Sequence, residues 1–288
     1  MTTPERVWFV TGAGRGLGLA VARAALEAGH KVVAAARRPE VAEEALGDLP
    51  GAAENLLAER LDVTRSEDAV VAVNAALNRF GRIDVLVNAA GYGQIGAFEA
   101  NAPEDVARQF DVNVFGLMHV TRAVLPSMRA RRSGRIYNVS SIAGVRGRPG
   151  GSLYAASKFA VSGFSEGLAA ELKPLGIFVT VLEPGYFRTD FLDPSSMRFG
   201  TEEIADYAEV TAAIRDGYAR RNHRQPGDPA KLAQTLLSLA DEPAPPVHFA
   251  VGSDAVEIVR AKLAAWGEEL EAWRTLSAAA DGDFADAV

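Results

Sequence analysis

The sequence contains no cysteine, which excludes disulfides, thiolate metal sites and a cysteine nucleophile. Histidine is scarce. His30, His119, His223 and His248 are scattered and form no HExxH-type pair, so each is read as a surface or cap residue and no metal site is expected. No run approaches the ~18 apolar residues of a membrane span. The opening residues, "MTTPERVWFV", lack the apolar h-region of a signal peptide. Basic residues are outnumbered, 30 Lys+Arg against 37 Asp+Glu, for a net charge of −7. That balance argues against a nucleic-acid partner, which needs a basic surface to displace counterions. These absences lead to the expectation of a soluble cytoplasmic protein that works on a small molecule, with no membrane or nucleic-acid partner.

What is present is an alternation. Short β-branched runs, "RVWFV" (6–10), "KVVAAA" (31–36), "NLLAERL" (55–61), "IDVLVN" (83–88), "GRIYNVS" (134–140), "IFVTVLE" (177–183) and "VHFAV" (247–251), read as strands. Helical patterns lie between them near 16–28, 40–47, 66–80, 103–131, 152–173 and 228–241. The last begins with Asp228 as a cap and Pro229 at the first helical position. The rhythm predicts an α/β fold: a doubly wound, Rossmann-type parallel sheet of about seven strands with helices on both faces. It breaks between about 186 and 226 and again after Gly252. We therefore read residues 1–252 as a single dinucleotide-binding and catalytic domain with a substrate-loop insertion at 186–226. Residues 253–288 read as a C-terminal extension of one or two helices and a loose tail, "SAAADGDFADAV".

The first strand runs into "TGAGRGLGLA" (11–20). Gly12, Gly14, Gly16 and Gly18 let backbone approach a phosphate, and the helix that follows offers free N–H groups to a pyrophosphate. The GxGxxG fingerprint fails because Leu17 stands where its last glycine would be, and no GK[ST] follows for a Walker A loop. The pattern that fits is TGxxxGxG. A dinucleotide site usually carries an acid after the second strand for the ribose 2′-OH. Here that strand ends at Ala36, followed by Arg37 and Arg38, and Arg15 is expected to point to the same region. Guanidiniums there suit a 2′-phosphate, favouring NADP(H) over NAD(H).

In "SLYAASKF" (152–159), Tyr154 and Lys158 stand at i and i+4 and share one helix face. A phenol titrates near 10, and a neighbouring ammonium favours the phenolate. The lysine, together with a bound nicotinamide cation, is therefore expected to lower the tyrosine's pKa. The preceding strand ends "YNVSSIAG", placing Ser140 and Ser141 at the carboxyl edge where open α/β sheets bind ligands.

With these residues assembled, the chain resembles the short-chain dehydrogenase/reductase family, in its compact one-domain branch. The resemblance rests on "TGAGRGLG", "LDVT" (61–64), "NAAG" (88–91), "DVNVFG" (111–116), "NVSS" (138–141), "YAASK" (154–158) and "EPGYFRT" (183–189). It implies a tetrad of Asn113, Ser141, Tyr154 and Lys158. Tyr154 would be the general acid or base, Lys158 would tune it and hold the nicotinamide ribose, Ser141 would orient the substrate oxygen, and Asn113 would hold a relay water. It further implies that Asp62 and Val63 meet the adenine side, that Asn88, Ala89 and Gly91 shape the wall near the cofactor, and that Pro184, Gly185 and Thr189 border the nicotinamide. The chemistry implied is hydride transfer between nicotinamide C4 and a carbonyl or secondary alcohol.

For the substrate, the segments 91–98, 143–151 and 186 onward offer Tyr92, Phe98, Val145, Tyr186, Phe187, Phe191, Met197 and Phe199, a lining suited to an apolar compound. Arg146 and Arg148 read more readily as solvated loop arginines than as a site for an acidic group. Two other readings stand beside the reductase: an NADP(H)-binding regulator without turnover, and a sugar-nucleotide epimerase, for which the tail is too short. The resemblance also implies a homo-oligomer, a dimer or tetramer, built partly on the helices at 103–131 and 152–173. The extension is expected to block one tetramer contact and leave a dimer.

Overall fold

The computed structural model describes residues 4–282. Its strands in chain order are β1 Val7–Thr11, β2 Lys31–Ala36, β3 Leu56–Arg60, β4 Val85–Asn88, β5 Gly93–Ile95, β6 Gly134–Val139, β7 Ile177–Pro184, β8 Met197–Phe199 and β9 His248–Val251. The helices are α1 Gly16–Glu27, α2 Pro39–Leu46, α3 Ala52–Asn55, α4 Ser66–Phe80, α5 Pro103–Phe110, α6 Gly116–Arg131, α7 Ser152–Leu172, α8 Ala208–Arg221, α9 Pro229–Asp241 and α10 Ser253–Ala278. Seven strands form one sheet in the order β3-β2-β1-β4-β6-β7-β9, every pair parallel. This is the Rossmann-type fold that the alternation predicts.

The sequence of β1 shows why both faces are covered. All five residues of "VWFVT" are buried, because a parallel sheet lies under helices on each side. Successive side chains point to opposite faces. Trp8 and Val10 enter a core shared with Val21 and Ala22 of α1 and with Leu232 and Leu236 of α9. Phe9 enters the other core, with Ala69 and Val73 of α4, Val120 and Val124 of α6, and Leu168 and Leu172 of α7. His30 belongs to the first side. It is buried, stacks 6.0 Å from Trp8 and accepts the Arg6 N–H at Nδ1, and its own backbone N–H donates to the Ala25 carbonyl at the end of α1, so of the surface or cap reading the cap half holds. The Asp228 cap forms as read, accepting the Ala230 N–H at 2.8 Å with Pro229 opening the helix.

The order reverses between β1 and β4. Ligands of open α/β sheets bind at the carboxyl ends of the strands beside such a reversal. Thr11 marks the spot, its Oγ1 accepting the N–H groups of Ala89 and Ala90 after β4.

Three local features depart from the sequence reading. The helical pattern at 103–131 is broken by a π-turn, Asp111–Phe115, between α5 and α6. The insertion holds a strand besides its helical piece α8: β8 pairs with β5 in a second two-stranded parallel sheet. The extension is a single helix, α10, which takes in Ser277 and Ala278 of the expected tail, while residues 283–288 lie outside the described residues.

Candidate active site

One cavity of about 940 Å³ runs along the carboxyl edge of the sheet and past the insertion. Its size spans the upper range of small-molecule and cofactor sites. The glycine turn forms one end. Gly12 adopts a left-handed φ of 68°, and a Cβ there would sit 2.9 Å from Ala90 Cα. A Cβ on Gly18 would reach 2.5 Å from the Gly12 carbonyl, so only glycine lets α1 start this close to β1. No side chain caps α1, which leaves its first N–H groups free for an anion. Gly14, Gly16 and Leu17 line the same end.

Arg37, Arg38, Asp62 and Val63 line the next stretch of wall. Neither arginine forms an ion pair among the described residues. Asp62 turns one oxygen to Thr64, accepting its N–H and Oγ1 hydroxyl. Arg15 lines the cavity but points elsewhere than the sequence reading has it. Its guanidinium donates to the Ser195 carbonyl at 2.9 Å, tying the glycine turn to the insertion.

At the centre, α7 presents Tyr154 and Lys158 to the end of β6. Lys158 is buried, and its Nζ donates to the Val139 carbonyl at 2.7 Å and lies 5.8 Å from the Tyr154 ring centre. Burial pulls the ammonium down to about 8. Burial pushes the Tyr154 hydroxyl above its ordinary value, with the Ser141 hydroxyl pulling back. In the protein without cofactor the net push on the phenol is upward, and burial is its largest cause; the downward shift read from the sequence counts a bound nicotinamide cation beside the lysine. Ser141 accepts the Ala143 N–H at 3.1 Å and so keeps its own proton to donate. Ala89, Gly91, Pro184, Gly185 and Thr189 complete this wall, and Phe191 packs 5.9 Å from the Tyr154 ring.

Five residues expected at the site do not line the cavity. Asn113 sits behind it on the π-turn. Its amide donates to the Tyr92 carbonyl and Ser157 Oγ and accepts the Tyr92 N–H, so the side chain shapes the Tyr92 wall. Asn88 is buried, donating to Thr121 Oγ1 and Asn138 Oδ1 as a brace between strand ends. Phe98 is 63% exposed on a turn after β5. Val145 closes the turn after Ser141, away from the cavity. Tyr92, Tyr186, Phe187, Phe191 and Met197 line the cavity as expected, and Phe199 instead meets Tyr218 and Arg215.

Ser140, placed at the carboxyl edge beside Ser141 as read, pins α7 to β6 through the Lys158 carbonyl and Ser162 Oγ. The sequence reading missed other contributors. Tyr218 of α8 reaches the cavity from a helix whose pattern is weak. Arg108 and Arg198 join Arg146 and Arg148 in the lining. In all, seven arginines and Lys158 face this space against two acids, Asp62 and Asp190, in a chain whose net charge is −7. Asp190, Asp193 and His223 bring their ligand atoms within 4.8 Å of one another on the insertion, where Asp193 accepts from the Asn222 amide and lies 3.3 Å from His223 Nε2.

A sheet-edge cavity, a glycine-lined helix start, and a tyrosine and lysine on one helix turn define a nucleotide-binding oxidoreductase. The short chain dehydrogenase family model matches residues 6–198, and the chain belongs to that family. It is 39% identical over 274 residues to the oxidoreductase BOA17 of Botryotinia fuckeliana, covering 95% of this chain and 98% of that one. A crystal structure of a short-chain dehydrogenase from Streptomyces avermitilis superposes with a TM-score of 0.88 at 40% identity, over 97% of this chain and all (100%) of that one. A Burkholderia phymatum short chain dehydrogenase/reductase in complex with NAD superposes with a TM-score of 0.78 at 26% identity, over 90% and 93% of the two chains. The protein is thus an oxidoreductase of this family with a site for NAD(P)(H).

Proposed function

We propose that the protein is an NADP(H)-dependent reductase of a carbonyl group, or dehydrogenase of the corresponding secondary alcohol. The observation that carries this is the convergence of Ser141, Tyr154 and Lys158 on the same cavity as the uncapped, glycine-lined start of α1. When bound, the nicotinamide supplies or accepts the hydride at C4. Ser141 donates a hydrogen bond to the carbonyl oxygen and holds it beside Tyr154. Tyr154 gives that oxygen its proton as the carbonyl carbon receives the hydride, and takes the proton back in oxidation. A phenol held above its ordinary pKa keeps its proton at neutral pH, which suits it as the acid of the reductive direction. Lys158 would hold the ribose hydroxyls, and a positive charge 5.8 Å from the Tyr154 ring favours the phenolate in the oxidative direction.

Two arginines and no carboxylate after β2 support NADP(H) over NAD(H). On the substrate side, Tyr92, Phe191 and Met197 suit an apolar body. Arg146, Arg148 and Arg198, none paired with an acid among the described residues, suit an acidic group on it. We place the protein in the cytoplasm as a homo-oligomer built on α5, α6 and α7, where Phe115 and Phe159 stand 47% and 46% exposed. The test is NADPH consumption with neutral ketones, keto acids, aldehydes and quinones, beside NADH and Tyr154→Phe. Turnover that disappears in Tyr154→Phe supports the enzyme. Tight NADPH binding without turnover on any of these supports the regulator instead.

A further inference from the structure

Helix α10 extends from Ser253 to Ala278, about 39 Å at 1.5 Å per residue. Among the described residues, only its start is fixed to the rest of the chain. Ala255 is buried, and the Asp254 carboxylate accepts the Tyr186 N–H at 2.9 Å. From Leu263 to the helix end every residue is exposed. Those residues are not all polar: Leu263, Trp266, Leu270, Trp273 and Leu276 stand between 60% and 66% exposed. In proteins most helical stability comes from packing an apolar face and not from propensity.

The spacing says what kind of cover the face fits. Val256, Val259, Leu263, Trp266, Leu270 and Trp273 follow one another at alternating intervals of three and four. These are the a and d positions of a heptad, the seam of a coiled coil. We propose that α10 is an interface between two copies of this chain, each α10 lying parallel against the other along this seam.

Charge selects the orientation. In the parallel pair, Glu269 at position g faces Arg274 of the partner subunit at the next e, twice by symmetry. An antiparallel pair would set Arg260 against Arg274 and Glu269 against its own copy. Area is sufficient. On the seam itself, Trp266, Trp273, Leu263 and Leu270 with the partly exposed Val256 offer about 600 Å² per copy, and roughly 1,200 Å² in total reaches the range of stable interfaces. A lipid surface fits less well. Asp254, Glu257, Glu268, Glu269 and Glu271 outnumber Arg260, Lys262 and Arg274, whereas helices lying on anionic bilayers carry a basic polar face. The seam lies apart from α5, α6 and α7. The extension would then join family-type dimers instead of blocking their association.

The test uses the whole chain. Leu263→Glu/Leu270→Glu changes only exposed positions, so the thermal transition of the α/β body should stay in place while the mass by sedimentation velocity falls to half that of the wild type. Because the chain has no cysteine, Leu263→Cys and Leu270→Cys are single probes, and each should cross-link to its own copy under mild oxidation. Cross-linking only in a mixture of Leu263→Cys with Trp273→Cys would overturn the parallel orientation. Unchanged mass in the double variant, with no cross-linking in either arrangement, would overturn the interface. Sedimentation of the wild type with phosphatidylserine vesicles, lost in the double variant whose mass in solution is unchanged, would replace it with a lipid surface.

Discussion

The ammonium of Lys158 is anchored to the carbonyl of Val139, 2.7 Å away at the end of β6. The bond fixes a buried charge where no carboxylate among the described residues neutralises it, and burial lowers its pKa to about 8. Below pH 8 the folded state carries a charge that the unfolded chain would keep hydrated. That cost shrinks as pH rises from about 8 toward the unfolded value of about 10.4, because the unfolded state then binds more protons than the folded one. Lys158→Met should therefore raise the stability of the cofactor-free protein at pH 7 by about 2 kcal/mol, the relieved desolvation less a lost hydrogen bond. The gain should disappear by pH 10. Denaturant midpoints at the two pH values check it, and turnover should be lost at both.

Arg37 and Arg38 should decide the cofactor. Replacing both with alanine removes charge-assisted hydrogen bonds to a 2′-phosphate. The KM for NADPH is expected to rise roughly 10- to 100-fold while that for NADH changes little. Equal losses with both cofactors would mean that the arginines only shape the wall.

Gly185 has no room for a methyl group. A Cβ there would meet Asp254 Oδ1 at 2.1 Å, forcing the carboxylate off the Tyr186 N–H. Gly185→Ala is expected to cost about 1–3 kcal/mol of stability and to raise the substrate KM as Tyr186 loses its anchor. Asp254→Ala should give a similar loss. The two combined should cost less than their sum, since both break one contact. Urea midpoints of the three variants measure it.

Arg146, Arg148 and Arg198 should discriminate substrates by charge. Changing all three to glutamine should raise the KM of a keto acid about tenfold, from three partly exposed interactions of about 0.5 kcal/mol each, and leave a neutral ketone of the same shape near its original value. Added salt should erode the wild-type preference in the same direction. A preference untouched by both changes would remove the acidic group from the proposed substrate.

Much of this was legible from spacing. The seven strands of the main sheet fall in the predicted runs because parallel strands buried on both faces must be apolar throughout, as "VWFVT" is. Tyr154, Lys158, Ser141 and the glycines gather at one cavity because a helix turn and a strand end fix them to the backbone path. Positions set by side-chain direction were not legible. Arg15 has a long stem and finds Ser195 across the cavity. Phe98 faces solvent because a short turn after β5 redirects it. The pairing of β5 with β8 joins three residues to three others about a hundred positions away, too short a run to leave a period. The upward push on Tyr154 needs the depth of its burial, which no motif records.

The π-turn at Asp111–Phe115 fits an extra residue into the helical run between α5 and α6. Upstream of it, Gln109 turns toward Gln94 and Tyr92; downstream, Val120, Val124 and Met128 turn into the core. The turn therefore works as a phase shifter between two helices with different duties. Deleting a single residue within it would restore regular winding and rotate one helix against the other by roughly 100°, the angle per residue of an α-helix. Either the Tyr92 wall or the core would lose its contacts. The length of this short segment is thus fixed by the active-site wall and the core together.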